Sequence, residues 1–300
     1  MYLKADMQHT ILVTGANGQL GMELALLVSQ YPAFHFVLTT RQDLPLDNFD
    51  LINKLIDKHQ PKYVVNCAAY TAVDKAESDK ELAHRINAEA PGVIAAACRR
   101  NNSKLIHIST DYVFNGNGQR PYKEDDPTDP VNYYGESKLL GEQQVMLQNP
   151  ASIIIRTAWV YSQFGKNFVK TILRLVGEKE AINVVSDQYG TPTYAADLAE
   201  TIMQIITVLD SETDPTGTSH AGIYHFSNNG IINWHEFALA IRDISGSKCK
   251  VNPIPASDYP TPARRPAYSV LDKSKISKEF NISIKPWRER LEACIKRIEK

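Results

Sequence analysis

A tyrosine and a lysine four residues apart, Tyr134 and Lys138, form a pair that could do acid–base chemistry. The chain has 14 tyrosines, so a Y-x-x-x-K spacing also arises by chance. If the segment is helical, the two side chains share one face, and a lysine ammonium beside the phenol lowers the tyrosine pKa from about 10. Such a tyrosine could donate a proton to a carbonyl that receives hydride, and the lysine could also hold a nicotinamide ribose.

A hydroxyl that could assist this pair lies upstream, in the run 109–112 (STDY). Thr110 ends a predicted strand, and the carboxyl ends of strands in open α/β sheets face the ligand crevice. We therefore expect the Thr110 hydroxyl to hydrogen-bond a substrate carbonyl. The alternative is a threonine that only caps the strand end.

Three glycines, Gly15, Gly18 and Gly21, lie between a predicted first strand and an amphipathic helix, in the loop GANGQLG. Glycines permit a tight turn and close backbone approach, and the N-terminus of the following helix favours a pyrophosphate. The context predicts a dinucleotide site, with a glycine turn that binds no ligand as the alternative.

The choice of dinucleotide depends on the end of the second predicted strand. NAD-selective sites have an acid there, about 20 residues past the loop, on the ribose 2′-hydroxyl. Here the run 39–41 reads TTR and has no acid. Arg41 could meet a 2′-phosphate or stack on adenine, which favours NADP(H) or the use of both cofactors. A solvated loop arginine is the alternative.

The elements that must position these residues alternate along the first half of the chain. Helical patterns cover 18–30 and 79–100, with a break or kink expected at Pro91 and Gly92. Alternating strands and helices predict an α/β fold, a Rossmann-like doubly wound parallel sheet. Near-continuous apolar runs predict its strands, buried on both faces, at 10–14, 35–39, 63–66, 104–109 and 152–157.

After about residue 159 the regular alternation of predicted strands and helices changes. We expect a dinucleotide-binding domain at 8–160, to which 194–227 returns, and a smaller, irregular substrate-binding lobe at 161–193 and 228–300. The residues before Gln8 are expected to be a short disordered leader. The later elements are predicted as helices at 167–177, 195–209 and 234–245, strands at 182–186 and 223–227, a polar loop at 210–221 and an irregular proline-rich stretch at 253–266.

Composition excludes several classes of protein. With 33 Lys and Arg against 34 Asp and Glu the net charge is −1, so overall charge does not hold the chain to nucleic acid or to an anionic membrane. We find no signal peptide and no apolar run of the roughly 18 residues that a membrane span needs. The four cysteines form no C-x-x-C pair and no zinc spacing. They predict reduced thiols in a cytoplasmic protein.

The glycine loop, Thr110, Tyr134 and Lys138 together resemble the extended short-chain dehydrogenase/reductase family. Within it, the chain is similar to the dTDP-4-dehydrorhamnose reductase family from about residue 10 to the C-terminus. The stretches that carry this similarity are 65–77 (VNCAAYTAVDKAE), 109–116 (STDYVFNG), 156–161 (RTAWVY), 187–193 (DQYGTPT) and 265–269 (RPAYS).

This resemblance implies reduction of the 4-keto group of dTDP-4-dehydro-L-rhamnose to dTDP-L-rhamnose with NADPH or NADH. Thr110, Tyr134 and Lys138 would be the catalytic set, and Tyr134 would protonate the nascent alkoxide. The cofactor would contact Gly15, Asn17, Gly18, Gln19, Leu20, Gly21, Arg41, Ala68, Ala69, Tyr70, Tyr134 and Lys138. The dTDP-sugar would contact Thr71, Val73, Tyr112, Trp159 and, through its diphosphate, Arg265.

Two of these substrate contacts have plain structural alternatives. Trp159 could simply pack in the core, and Arg265 could be a donor to loop carbonyls. Magnesium and a homodimer are further properties that the resemblance admits. The sequence assigns no metal ligand.

Proteins with related functions carry similar motifs. Sugar-nucleotide 4,6-dehydratases carry Thr-Asp-Glu, and Tyr112 stands in the glutamate position here, which argues against dehydration. A 4-epimerase shares Y-x-x-x-K and stays open as an alternative, as does a related sugar-nucleotide 4-reductase. So does a non-catalytic NADP(H)-binding regulatory subunit similar to the methionine adenosyltransferase beta subunit.

Overall fold

The computed structural model describes residues 8–212 and 218–299. The expected leader before Gln8 and the middle of the expected loop 210–221 lie outside these residues. The central sheet is built from β1 (His9–Thr14), β2 (Phe34–Thr39), β3 (Tyr63–Asn66), β4 (Lys104–Thr110), β5 (Ile153–Thr157) and β10 (Gly222–Phe226).

The order of strands in this sheet is β10-β5-β4-β3-β1-β2, and all pairings are parallel. The chain moves from β1 to its neighbour β2 and then crosses to β3 on the other side of β1. This reversal is a topological switch point, where open α/β sheets bind ligands at their carboxyl ends. The α/β, Rossmann-like fold expected from the sequence is confirmed.

Helices cover both faces of the sheet, because those that pack on it present an apolar stripe to it. The two faces carry separate hydrophobic cores, one including Val65 and the other Val64, since alternate residues of β3 point to opposite faces. The helices are α1 (Gln19–Leu27), α2 (Phe49–His59), α3 (Val73–Ala76), α4 (Lys80–His84), α5 (Ala90–Arg100), α6 (Tyr133–Gln148), α7 (Phe168–Glu178), α8 (Ala195–Ser211), α9 (Trp234–Ile244), α10 (Ser274–Glu279) and α11 (Trp287–Ile298).

The expected irregularity within 79–100 lies earlier than predicted. A π-helical turn, Arg85–Glu89, joins α4 to α5, and the Ala90 N–H bonds to the Arg85 carbonyl. Pro91 lies in the first turn of the regular helix that follows, where proline is tolerated because its missing N–H leaves no bond unmade.

A third core includes α7, α9 and α11, with Phe237 and Val169 fully buried. Part of the stretch expected to be irregular, 253–266, is regular: β12 runs through Pro253 and pairs with β7 alone. A proline is tolerated there because each strand of a two-stranded sheet has a free edge. The short strands are β6 (Val160–Tyr161), β7 (Ala181–Val185), β8 (Tyr189–Gly190), β9 (Thr193–Tyr194), β11 (Ile232–Asn233) and β12 (Lys250–Ile254).

Candidate active site

The carboxyl ends of the central strands open onto a cleft of about 630 Å³. Every residue that the sequence predicts for the cofactor or the substrate lines this cleft, except Gly21 and Arg265. The structure therefore brings the glycine loop, the tyrosine–lysine pair and the aromatic residues of the expected sugar site into one space.

The glycine loop turns directly from β1 into α1. Gly15 has φ +68°, and a Cβ there would lie 2.9 Å from the Ala68 Cα. A Cβ on Gly21 would overlap the Gly15 carbonyl oxygen, so Gly21 serves the packing of the turn and does not reach the cleft. Gly18 caps α1 without a side-chain bond, and no acid lies in the first helical turn. The N–H groups at this helix end are thus left for an anion.

The end of β2 is consistent with an arginine site for the adenosine end of a dinucleotide. Arg41 is exposed and lines the cleft. The nearest acid in sequence, Asp43, instead accepts bonds from the Thr40 N–H at 2.9 Å and the Thr40 hydroxyl at 2.7 Å. Arg41 therefore provides the cation at this strand end.

Tyr134 and Lys138 lie one turn apart on α6, as the spacing predicts. The helix begins there because the Asn132 side chain accepts the Gly135 N–H at 2.8 Å. A Cβ on Gly135 would overlap the Tyr112 carbonyl, so only glycine lets α6 approach the turn after β4 this closely. This contact brings the Tyr134 phenol near the Thr110 hydroxyl.

The electrostatics of the pair differ from the sequence expectation. Burial raises the pKa of Tyr134 to about 12, although the hydrogen bond with Thr110 opposes the shift. The expectation that Lys138 lowers this pKa is wrong for the structure, because the lysine is turned to other partners. Its Nζ donates to the Ile108 carbonyl at 2.7 Å, and burial lowers the Lys138 pKa to about 8.

The expected sugar side of the cleft is aromatic. Trp159 adopts φ +48°, a strained conformation for a bulky residue. Its ring stacks on Trp234, with centroids 3.5 Å apart and planes 10° apart. A Cβ on Gly190 would lie 2.7 Å from Trp159 Cε2, so glycine makes room for the indole. Trp159 both packs in the lobe and lines the cleft.

Arg265 lies outside the cleft lining and is already paired. Its guanidinium donates to both Asp74 oxygens, at 3.0 and 2.9 Å, to the Ala263 carbonyl at 3.1 Å and to the Thr261 hydroxyl. The bonds from Arg265 lower the pKa of Asp74. This placement matches the structural alternative, and a role on the substrate diphosphate stays a prediction.

Sequence reasoning missed several residues of the site. Asn87, in the π-helical turn, bonds to both the backbone N–H and carbonyl of Tyr70 and to the Ser137 hydroxyl, which fixes the loop after β3 against α6. Asp111 is buried, and burial raises its pKa to about 7. Lys166 and Trp234 also line the cleft. π-Helical turns are frequent at functional sites, but no sequence pattern predicted this one.

Within residues 8–212 and 218–299, no three His, Cys, Asp or Glu side chains are grouped so as to hold a metal ion. Glu178, at the end of α7, pairs with Arg174 at 2.7 Å. No helix in the described part of the chain has the length and apolar character needed to cross a membrane.

Comparison with known proteins was made by family model, sequence and structure. The family model "RmlD substrate binding domain" matches residues 8–300. The dTDP-4-dehydrorhamnose reductase of Burkholderia thailandensis is 42% identical over 294 residues, covering 95% of this chain and 98% of that protein. Two solved dTDP-4-dehydrorhamnose reductases each give a TM-score of 0.90, covering 97% of this chain and 100% of theirs. They are from Clostridium acetobutylicum, 38% identical, and from Bacillus anthracis in complex with NADP, 36% identical.

A parallel sheet with a glycine loop, and with a threonine, a tyrosine and a lysine in its cleft, is the arrangement of the extended short-chain dehydrogenases/reductases. The relatives extend this likeness over nearly the whole chain. The chain belongs to the dTDP-4-dehydrorhamnose reductase family.

Proposed function

We propose that this protein reduces the 4-keto group of dTDP-4-dehydro-L-rhamnose with NADPH or NADH and so forms dTDP-L-rhamnose. The observation that carries the proposal is that Thr110, Tyr134 and Lys138 meet the glycine loop in one cleft. The name of the relatives that match nearly the whole chain supports the choice of substrate.

The glycine-loop end of the cleft fits a dinucleotide. Uncapped N–H groups begin α1, Gly15 leaves room for a close approach, and Arg41 supplies a cation beyond them. NADP is bound in the Bacillus anthracis relative, and we propose the same cofactor here, with NADH as a second donor. When bound, the nicotinamide supplies the hydride to C4 of the sugar.

The chain's own residues hold the keto group and supply the proton. Thr110 donates a hydrogen bond to the carbonyl oxygen, and Tyr134 protonates the alkoxide that forms. Because its pKa is about 12, Tyr134 holds its proton at neutral pH and is ready to give it. Lys138, with a pKa of about 8, is mainly charged at pH 7 and would hold the nicotinamide ribose as a hydrogen-bond donor.

The opposite side of the cleft would select the sugar nucleotide. Thr71 and Val73 follow β3, Tyr112 follows β4 and Trp159 follows β5, and all four line the cleft. We propose the division of the chain made from the sequence, with 8–160 and 194–227 as the dinucleotide-binding domain and 161–193 and 228–300 as the substrate-binding lobe, and with these four residues of the first domain completing the sugar site. Arg265 would have to leave Asp74 to reach a diphosphate.

The proposal is tested by mixing the protein with NADPH and the dTDP-4-keto sugar formed in situ, and following absorbance at the nicotinamide band. We expect oxidation of NADPH in proportion to the keto sugar, and none when the sugar is omitted. No oxidation above background, with the substrate verified, would contradict the reductase.

The same assay separates the alternatives. A 4-epimerase keeps its cofactor through both half-reactions and consumes none, and a regulatory subunit binds NADP(H) without turnover. Nothing in the described residues favours either one. Magnesium is not part of the proposal, and a homodimer stays a prediction.

A further inference from the structure

A row of buried polar side chains runs beneath the cleft from the glycine loop to Lys138. The Thr14 hydroxyl lies 2.6 Å from Asn66 Oδ1, and Asn66 Nδ2 lies 2.9 Å from His107 Nδ1. His107 Nε2 lies 3.5 Å from Lys138 Nζ. Thr14, Asn66 and His107 are at most 1% exposed and Lys138 is 2% exposed. The row thus crosses β1, β3, β4 and α6 in the protein interior.

The direction of these hydrogen bonds depends on the proton of Lys138. As placed, the Thr14 hydroxyl donates to Asn66, and the Asn66 amide donates to His107 Nδ1. A neutral imidazole then carries its proton on Nε2 and presents an N–H to Lys138. A neutral amine accepts this bond through its lone pair, whereas an ammonium has donors only. This placement therefore matches the uncharged lysine.

With a charged lysine, every bond in the row must reverse. The ammonium donates to Nε2, the ring proton sits on Nδ1, and Asn66 presents its oxygen to the ring and its N–H to Thr14. The heavy atoms stay in place, because an amide and an imidazole each offer a donor at one end and an acceptor at the other. The two states differ by one proton, which is exchanged with solvent through the cleft.

We propose that His107 and Asn66 are positioning residues for Lys138, and that the row they form reverses direction when Lys138 gains or loses its proton. The inference rests on the proposed function, in which Lys138 works in the cleft. Asn66, His107 and Lys138 each have a partner of the right polarity in both states, because the donor and acceptor ends of the amide and the imidazole exchange together. The ammonium's other bond, to Ile108, leaves one N–H for the cleft.

Other titratable groups also face Lys138. Glu142, on the same helix, raises the lysine pKa against the larger effect of burial, and Glu142 is itself held by Ser109 at 2.5 Å and by buried Arg156. Tyr134 lies one turn before the lysine on α6, and Asp111 follows the end of β4. Burial, with Lys138 nearby, keeps the His107 pKa well below its usual value, so the ring responds by changing tautomer and not charge.

The direct test is ¹⁵N NMR of the full chain with labelled histidine, recorded across the titration of Lys138 without substrate or cofactor. The His107 signals are assigned by comparison with His107→Gln. We expect the ring proton on Nδ1 at low pH and on Nε2 at high pH. Lys138→Arg, which stays charged, should hold the Nδ1 form throughout. If His107 of the wild-type chain keeps one tautomer across the titration, or becomes an imidazolium, the proposal is overturned.

Kinetics provide a second test. Asn66→Asp offers the ring an acceptor only, so it should favour the ammonium and move the alkaline limb of the kcat/KM profile upward by about one pH unit. His225→Gln is the matched control, because His225 is a buried imidazole on β10 outside the cleft. If the alkaline limb of the kcat/KM profile lies at the same pH in Asn66→Asp and in wild type, the inference is contradicted. A chain without reductase activity would instead defeat the proposed function and leave the NMR result standing.

Discussion

The two sides of the cleft are built from different interactions. On the sheet side, Thr110 and Lys138 are buried and hydrogen-bonded, and the pKa of Lys138 is shifted to about 8. On the lobe side, Trp159 and Trp234 stack face to face, and Gly190 leaves the space that the indole fills. The sheet side therefore determines proton transfer, and the lobe side determines the shape of the substrate that fits the cleft. Substitutions on the sheet side should therefore change kcat, and those on the lobe side should change KM.

The largest effect is expected from Tyr134→Phe, which removes the proton donor and keeps the ring. Turnover should fall by about 10²–10⁴, the usual scale for losing a positioned acid, with KM for the sugar nucleotide nearly unchanged. Steady-state kinetics measure both. Tyr133→Phe is the control, because Tyr133 faces Lys80 outside the cleft. An unchanged kcat in Tyr134→Phe would reject the assignment of the donor.

Gly190→Ala tests the lobe side. The new methyl group would lie 2.7 Å from Trp159 Cε2 and displace the indole, at the cost of about 1–3 kcal/mol that overpacking brings. We expect KM for the sugar nucleotide to rise about tenfold, while the cofactor KM stays constant. Gly177→Ala is the matched control, since a Cβ there meets nothing within 4 Å. A fall in kcat with no change in KM would contradict the assignment of the lobe side to substrate binding.

A comparable or smaller effect is expected from Arg41→Ala at the adenosine end. A hydrogen bond to a charged group contributes about 1.5–3 kcal/mol, and the exposed position of Arg41 puts its effect near the lower limit. The preference for NADPH over NADH should fall about tenfold. Arg174→Ala, on the surface of α7, controls for loss of charge. If the preference does not change in Arg41→Ala, this arginine does not read the 2′-phosphate.

The smallest effect concerns stability in acid. Burial lowers the pKa of His225 to about 3, and the unfolded value is about 6.5. The unfolded chain therefore binds the proton more tightly, and stability is lost as the pH falls below about 6.5. Urea unfolding at pH 7 and pH 5 should show a smaller loss for His225→Gln than for wild type. Equal losses would show that this imidazole is not held neutral.

The sheet side could be predicted from sequence because its signals are local. A strand end followed by glycines, a threonine at the next strand end and a helical i, i+4 pair each have a fixed geometry, and the structure places Gly15, Thr110 and Tyr134 in one cleft. The fold class followed from the same alternation of strands and helices.

The remainder depends on contacts between distant parts of the chain. No local spacing in the sequence connects the residues of these contacts. They are Trp159 with Gly190, Asn87 with Tyr70, and Arg265 with Asp74. The raised pKa of Tyr134 was missed for the same reason: burial is a property of the assembled fold, and here it outweighs the hydrogen bond with Thr110.

The most direct test of the central claim is to follow the hydride itself. The protein is supplied with NADPH deuterated at the transferable C4 position of the nicotinamide and with the dTDP-4-keto sugar, and the product sugar is analysed by NMR and mass spectrometry. We expect one deuterium at C4 of the sugar for each cofactor oxidised, at a rate that falls with Tyr134→Phe. A product without deuterium at C4, or a sugar recovered as the unreduced ketone, would contradict it.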